Sequence, residues 1–82
     1  MEKTGSIKKI LGRRIRKLRL EMGLSQEAFA DKCGIDRTYI SGIERGVRNP
    51  TLVVLCVISC GLGTELSQLF MFSDEEERSK SV

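Results

Sequence analysis

The side chains best placed to do chemistry in this chain lie in the run Asp36-Arg37-Thr38-Tyr39-Ile40-Ser41-Gly42-Ile43-Glu44-Arg45 and just after it, at Arg48 and Asn49. On a helix, Arg37, Ser41 and Arg45 fall at i, i+4 and i+8 with Thr38 alongside, while Ile40 and Ile43 face the other way. Such a face exchanges hydrogen bonds with a partner; it has no means of breaking a covalent bond. The chain contains no histidine, pairs no nucleophile with a general base and has no glycine loop that could cradle a phosphate. Its three cysteines, Cys33, Cys56 and Cys60, are odd in number and form no CxxC pair, which argues against a disulfide framework and against a zinc knuckle. Cys56 and Cys60 share a helix face, but Cβ atoms four residues apart sit about 5–6 Å from each other, beyond the roughly 4 Å a disulfide wants. We read all three as reduced, partly buried thiols. The expectation is a binding protein and not an enzyme, with no metal, no cofactor and no small-molecule substrate.

The elements that position these residues can be read from spacing and caps. Ile7, Leu11, Ile15, Leu18 and Met22 recur as one helical stripe, with Lys8, Lys9, Gly12, Arg16 and Leu20 turned elsewhere. Gly23 closes this first helix, and Ser25 caps a second that runs from Gln26 to Cys33 with Glu27 in its first turn. Gly34 breaks that helix, Ile35 anchors the turn, and Asp36 caps a third helix from Arg37 to Arg45, closed by Gly46. Beyond the polar stretch Val47 to Pro50, Thr51 can cap a segment from Leu52 to Ile58 that is apolar on every face. Its β-branched residues would suit a strand, but a lone strand has nothing to pair with here, so a helix ending at Gly61 is expected. A short fifth helix, from Thr64 to about Phe72, puts Leu66, Leu69 and Phe70 on one side. Residues 1–6 are expected to be a flexible start, residues 7–72 the folded domain, and residues 73–82 a flexible acidic tail.

With 82 residues the chain makes one domain with a limited core. The net charge of +3 says little, but its distribution says more: residues 1–22 hold eight basic residues against Glu2 and Glu21, and the tail from residue 73 is acidic. A polyanion becomes a plausible partner, although the basic stretch of the first helix more often serves as a solvated face. The longest apolar run is too short to span a bilayer, and the basic N-terminal stretch lacks the apolar core of a signal peptide. A soluble cytoplasmic protein without a membrane partner is expected.

Two helices crossing through a tight turn need a small residue at their contact, one that tolerates positive φ in the turn, and apolar residues that lock the second helix down. Ala30, Gly34, Ile40 and Ile43 supply these in order. Together with Leu24-Ser25-Gln26-Glu27, the Ile43-Glu44-Arg45-Gly46 run and Arg48-Asn49-Pro50, they make residues 10–70 resemble the Cro/repressor-type helix-turn-helix family. Within it, the stretch from Asp36 to Arg45 most resembles the controller proteins of restriction-modification systems. The resemblance implies an all-α, compact five-helix domain, a homodimer and transcriptional regulation, with a double-stranded DNA operator as partner and RNA polymerase as a further candidate. It implies a phosphate contact for Gln26, whose bland alternative is a first-turn polar residue, and a tie between Arg19 and Glu44.

On this reading Arg37 pairs bidentately with a guanine, Thr38 exchanges a hydrogen bond with a base edge or touches a thymine methyl, and Ser41 lies on the same face. Tyr39 packs either on the sugar-phosphate strand or in the core. Arg45, Arg48 and Asn49 hold the DNA backbone or reach base edges at the rim. Arg14 has no assigned role. The all-round apolar fourth helix needs cover on both sides, and one small chain supplies only one side. Leu52 and Leu55 are assigned to the protomer's own core, which leaves Val53, Val54, Cys56, Val57, Leu66 and Phe70 for a two-fold contact. Such a dimer would hold its third helices about 34 Å apart on a near-palindromic site. The rival functions are an antitoxin-like or adaptor protein whose main partner is another protein, and a phage-type repressor.

Overall fold

The computed structural model describes residues 2–72, with side chains from Ile7 onward. Five helices follow one another: α1 (Glu2–Glu21), α2 (Gln26–Cys33), α3 (Arg37–Arg45), α4 (Leu52–Leu62) and α5 (Leu66–Leu69). Among the described residues there is no strand, so the fold is all-α. The expected acidic tail, residues 73–82, lies outside the described residues.

The caps set these boundaries as the sequence predicts. The Ser25 hydroxyl accepts from the Ala28 N–H at 3.0 Å, the Asp36 carboxylate from the Thr38 N–H at 2.8 Å, and the Thr51 hydroxyl from the Val54 N–H at 3.1 Å. Each satisfies one of the donors that a helix start leaves free. Gly34, at φ 69°, takes the left-handed conformation that closes α2 and turns the chain toward α3.

Ile15, Phe29, Ile40, Ile43, Ile58 and Leu69 are fully enclosed, and Leu11, Ala30, Leu55 and Leu62 complete the core. α1 packs on α3 and α5, α2 on α3 and α4, and α4 on α5. Every helix therefore contributes to one centre.

The structure differs from the sequence reading in several places. α1 begins at Glu2, five residues before the stripe starts at Ile7, because a formed helix adds a backbone bond with each further residue whether or not that residue is apolar. The ends of the stripe are exposed, Ile7 at 46% and Met22 at 39%, while Ile10 and Arg19 are buried instead. A helix of 20 residues is about 30 Å long and overhangs so small a core at both ends. α4 runs through Gly61 to Leu62 and stops at Gly63, φ 70°. The Gly63 N–H bonds the Cys60 carbonyl and the Thr64 N–H bonds the Ser59 carbonyl. This leaves Thr64 finishing α4, so α5 starts two residues later than expected, at Leu66, with the N–H of its N-cap Glu65 bonded to Gln68 Oε1 at 2.8 Å. α5 ends at Leu69, short of Phe72, where the Gln68 carbonyl is taken by Arg14, whose Nε and Nη2 donate to it at 3.1 and 3.0 Å. Arg14 thus gains a role, tying α1 to the C-terminal end of α5. Leu52, assigned to the core, is 66% exposed, whereas Leu55 is 7% exposed.

Gly12, expected to face away from the core, is where α1 meets α3. A Cβ there would come within 2.4 Å of the Ile43 carbonyl oxygen and 2.5 Å of that of Glu44. Backbone atoms cannot swing aside, so the two helices touch only because residue 12 has no side chain. Helix propensity alone predicts that Gly12→Ala stabilises α1 by about 1 kcal/mol. The crossing predicts the opposite, a loss of about 1–3 kcal/mol. Urea unfolding of the variant decides between them, and a gain in stability would disprove the close crossing.

Candidate nucleic-acid interface

The polar network beneath α3 begins at Arg19. Its Nε donates to Glu44 Oε2 at 2.7 Å and its Nη2 to Glu44 Oε1 at 2.9 Å, a two-pronged pair whose side chains are 6% and 2% exposed. The remaining Nη1 donates to the Leu24 carbonyl at 2.7 Å. Glu44 holds the guanidinium protonated, by its hydrogen bonds first and its charge second, above the ordinary arginine value, against the opposing effect of burial. The predicted tie between the first and third helices is present. Gln26, expected at a phosphate, joins it: its Nε2 donates to Glu44 Oε1 at 3.0 Å and it is half-buried. One hydrogen of that amide is committed inward, and the second is still available to an outer partner.

This network and the enclosed Ile40 and Ile43 pin one side of α3. The opposite side carries Arg37, Thr38 and Arg45 into solvent, while Ser41 is half-buried at their edge. Thr38 is tied to its cap twice, its backbone N–H and its hydroxyl both donating to Asp36 Oδ1. Its hydroxyl hydrogen is therefore spent, and what it offers outward is a lone pair and a methyl group. These two bonds, the side chain's first, hold the Asp36 carboxyl below the ordinary carboxylate range, and the charge of Arg37 adds to them.

Tyr39 is half-buried against the core, and the Arg48 guanidinium lies over its ring at 5.7 Å from the centroid. The stem of Arg48 crosses Gly42, where a Cβ would come within 2.4 Å of Arg48 Cγ. The Val47 and Arg48 N–H groups both bond the Gly42 carbonyl, at 3.0 and 3.2 Å, so the loop after α3 folds back along it. Arg48 and Asn49 are exposed there. The sequence alone gave no sign of this stack, because it depends on the loop's return path.

The residues assigned to a partner contact divide. Val53, at 72%, Cys56 and Val57 are exposed along α4 and line one groove with Cys33 and Cys60. Val54 and Leu66 are half-buried against the protomer's own core. Phe70 is exposed and meets Phe72 edge-on, with ring centroids 6.2 Å apart. Two of the three cysteines expected to be partly buried, Cys56 and Cys60, are exposed.

A family model described as helix-turn-helix matches residues 15–69, more than half of the chain and the whole path from the buried pair to α5. The chain belongs to the helix-turn-helix family. This helix-turn-helix chain is 51% identical over 71 residues to control protein C.MunI of a Mycoplasma species, a match that covers 85% of this chain and 96% of that protein. Its structure resembles the restriction-modification controller protein C.AhdI of Aeromonas hydrophila, with 44% identity, coverage of 76% of this chain and 94% of that one, and a TM-score of 0.74. It also resembles the controller protein C.Esp1396I, solved as a tetramer in complex with its natural 35 base-pair operator, with 38% identity, coverage of 90% and 93%, and a TM-score of 0.71. Within the helix-turn-helix family it is a DNA-binding transcriptional regulator of the restriction-modification controller type. No helix among its described residues is long and apolar enough to cross a membrane.

Two predictions follow from the network. Arg19→Met leaves the Glu44 carboxylate buried with Gln26 as its main remaining partner, and should cost about 3–5 kcal/mol in urea unfolding. Adding Glu44→Leu should recover part of that loss, and a double variant no better than the single one refutes the account. Asp36 contributes stability above its unfolded value of about 3.9 and loses that contribution as pH falls through its lower folded value. An acid titration followed at the Thr38 amide by NMR should therefore have its midpoint below the ordinary aspartate range, and Asp36→Asn should remove the transition.

Proposed function

We infer that the chain works as a homodimeric controller that binds a near-palindromic operator in the cytoplasm, acting by binding and without catalysis. The observation that carries this reading is the division of α3: Ile40, Ile43 and Glu44 are buried, and Arg37, Thr38 and Arg45 are exposed on the other side. A helix held along one side can enter a major groove with the other. Arg37, exposed at the first turn, is the reader of a guanine, and Thr38 supplies an acceptor or a methyl contact next to it. Gln26, Arg45, Arg48 and Asn49 position the DNA backbone, Gln26 from the N-terminal turn of α2 where the helix dipole favours phosphate. Tyr39 acts through Arg48, which stacks on it.

The bare face of α4 supports pairing with a second copy, since exposed valines in a helix without a single charged residue are otherwise left in water. A relative that assembles as a tetramer on its operator supports a chain that first associates with itself. Contact with RNA polymerase belongs to this reading where the bound protein activates transcription.

Footprinting on the DNA upstream of the chain's own gene tests the reading. Protection of two half-sites one helical turn apart is expected, with affinity that falls steeply as salt rises. Arg37→Ala should cost about 1–3 kcal/mol and relax selectivity at one base pair, whereas Arg45→Ala should weaken binding to all sequences alike and flatten the salt dependence. The reading fails if no site is protected at low salt and Arg37→Ala binds every DNA as the parent does.

A further inference from the structure

All three cysteines of the chain line one apolar groove between α2 and α4, together with Val53, Val57 and Gly61. Lys32 is the one charged residue in that lining. Cys33 reaches the groove from the last turn of α2, close enough that a Cβ on Gly61 would come within 2.6 Å of its Sγ. Among the described residues no group of three His, Cys, Asp or Glu side chains is placed to hold a metal ion. Cys33 is half-buried, and burial raises its thiol above the ordinary value. Cys56 and Cys60 are exposed.

Val53, Cys56, Val57 and Cys60 follow at i, i+3, i+4 and i+7, so they form a single stripe on α4. In a two-fold pairing of α4 with its copy, an antiparallel arrangement about the middle of this stripe brings each Cys56 near the axis and each Cys60 opposite the partner copy's valine at position 53. An adduct carrying carboxylates would then have to be buried in an apolar seam, which is unfavourable without paired charges.

We propose that Cys56 and Cys60 form a thiol-modification site for small, anionic disulfides, and that the mixed disulfide and the dimer exclude one another. The proposal rests on the dimer reading above. The thiolate of Cys56 or Cys60 attacks one sulfur of the disulfide, and a bond forms between Sγ and that sulfur as the original S–S bond breaks. The other half leaves as a thiolate and takes up the proton the cysteine released. The cysteine is oxidised, the leaving half is reduced, and excess thiol reverses the exchange. Lys32 at the rim attracts an anionic disulfide. Because adduct and partner compete for one face, oxidation lowers the dimer population and with it the affinity for a paired operator.

The test compares reduced protein with protein treated with oxidised glutathione, by intact and peptide mass spectrometry, sedimentation and operator binding. Expected are a glutathione adduct on Cys56 or Cys60, a shift from dimer to monomer, a loss of operator affinity of roughly a hundredfold as the two half-sites cease to be linked, and recovery with dithiothreitol. In the Cys56→Ser/Cys60→Ser variant the treatment should change neither sedimentation nor binding, whatever that variant's own starting values. A reduced protein that sediments only as monomer removes the dimer reading and this proposal with it. A reduced dimer whose adduct remains dimeric and keeps its affinity overturns this proposal alone, as does an internal Cys33–Cys60 disulfide formed in place of the adduct.

Discussion

Arg19 and Glu44 place two opposite charges inside a core that is otherwise almost wholly apolar, and the surrounding geometry follows from satisfying both. The guanidinium fork presents donors in fixed directions. Two meet the carboxylate of α3, and a third meets the Leu24 carbonyl in the turn before α2. Glu44 in turn accepts from Gln26 at the start of α2. Three elements are therefore registered against one another by a single cluster. A buried pair of this kind adds little net stability compared with a well-packed apolar replacement. What it supplies is position, since an apolar contact would tolerate a sliding or rotation of α3 that directional bonds do not.

That position matters because α3 has two separate tasks. Ile40, Ile43 and Glu44 hold it in place, and this leaves Arg37, Thr38 and Arg45 on the side that faces outward. The same tight approach explains Gly12, where the carbonyls of Ile43 and Glu44 lie against α1. At the other end, Asp36 restrains both the backbone and the hydroxyl of Thr38. The first turn of α3, from which Arg37 and Thr38 project, is thus ordered before any partner arrives, and less entropy is lost when one does.

The local signals were legible in the sequence wherever the chemistry is local. Ser25, Asp36 and Thr51 mark helix starts because their own side chains accept from a backbone N–H only two or three residues on, and α2 and α3 begin and end where those caps and their glycines put them. The division of α3 was legible from spacing alone. What was hidden depends on tertiary placement. Periodicity ranked Ile7 and Met22 with Leu11 and Ile15, although only the middle of α1 has helices above it. Leu52 and Leu55 look equally fit for a core, and only the direction of α4 separates them. Gly61 reads as the helix end, but it is a contact point inside α4, and Gly63 is the true stop. Arg14 and Arg48 act on backbone and ring atoms remote in sequence or reached by a loop, and no local pattern encodes that. The link between Arg19 and Glu44 became visible only through family resemblance.

Gly61 then connects the two halves of the molecule. A Cβ there would collide with Cys33 and press on Phe29, so α4 lies directly on α2. α2 is fixed to α3 through the Gln26 bond to Glu44 and the packing of Phe29 and Ala30. The exposed stripe of α4 is therefore rigidly related to the outward face of α3. For a two-fold pair this relation is what sets the distance between the two α3 helices, and that distance must match one turn of DNA for both to bind at once. A looser seat for α4 would leave the spacing variable, and each copy would then bind with little help from the other. The small residue at position 61 lies away from the outward face of α3, yet its contact with α2 fixes where the exposed stripe of α4 sits relative to that face.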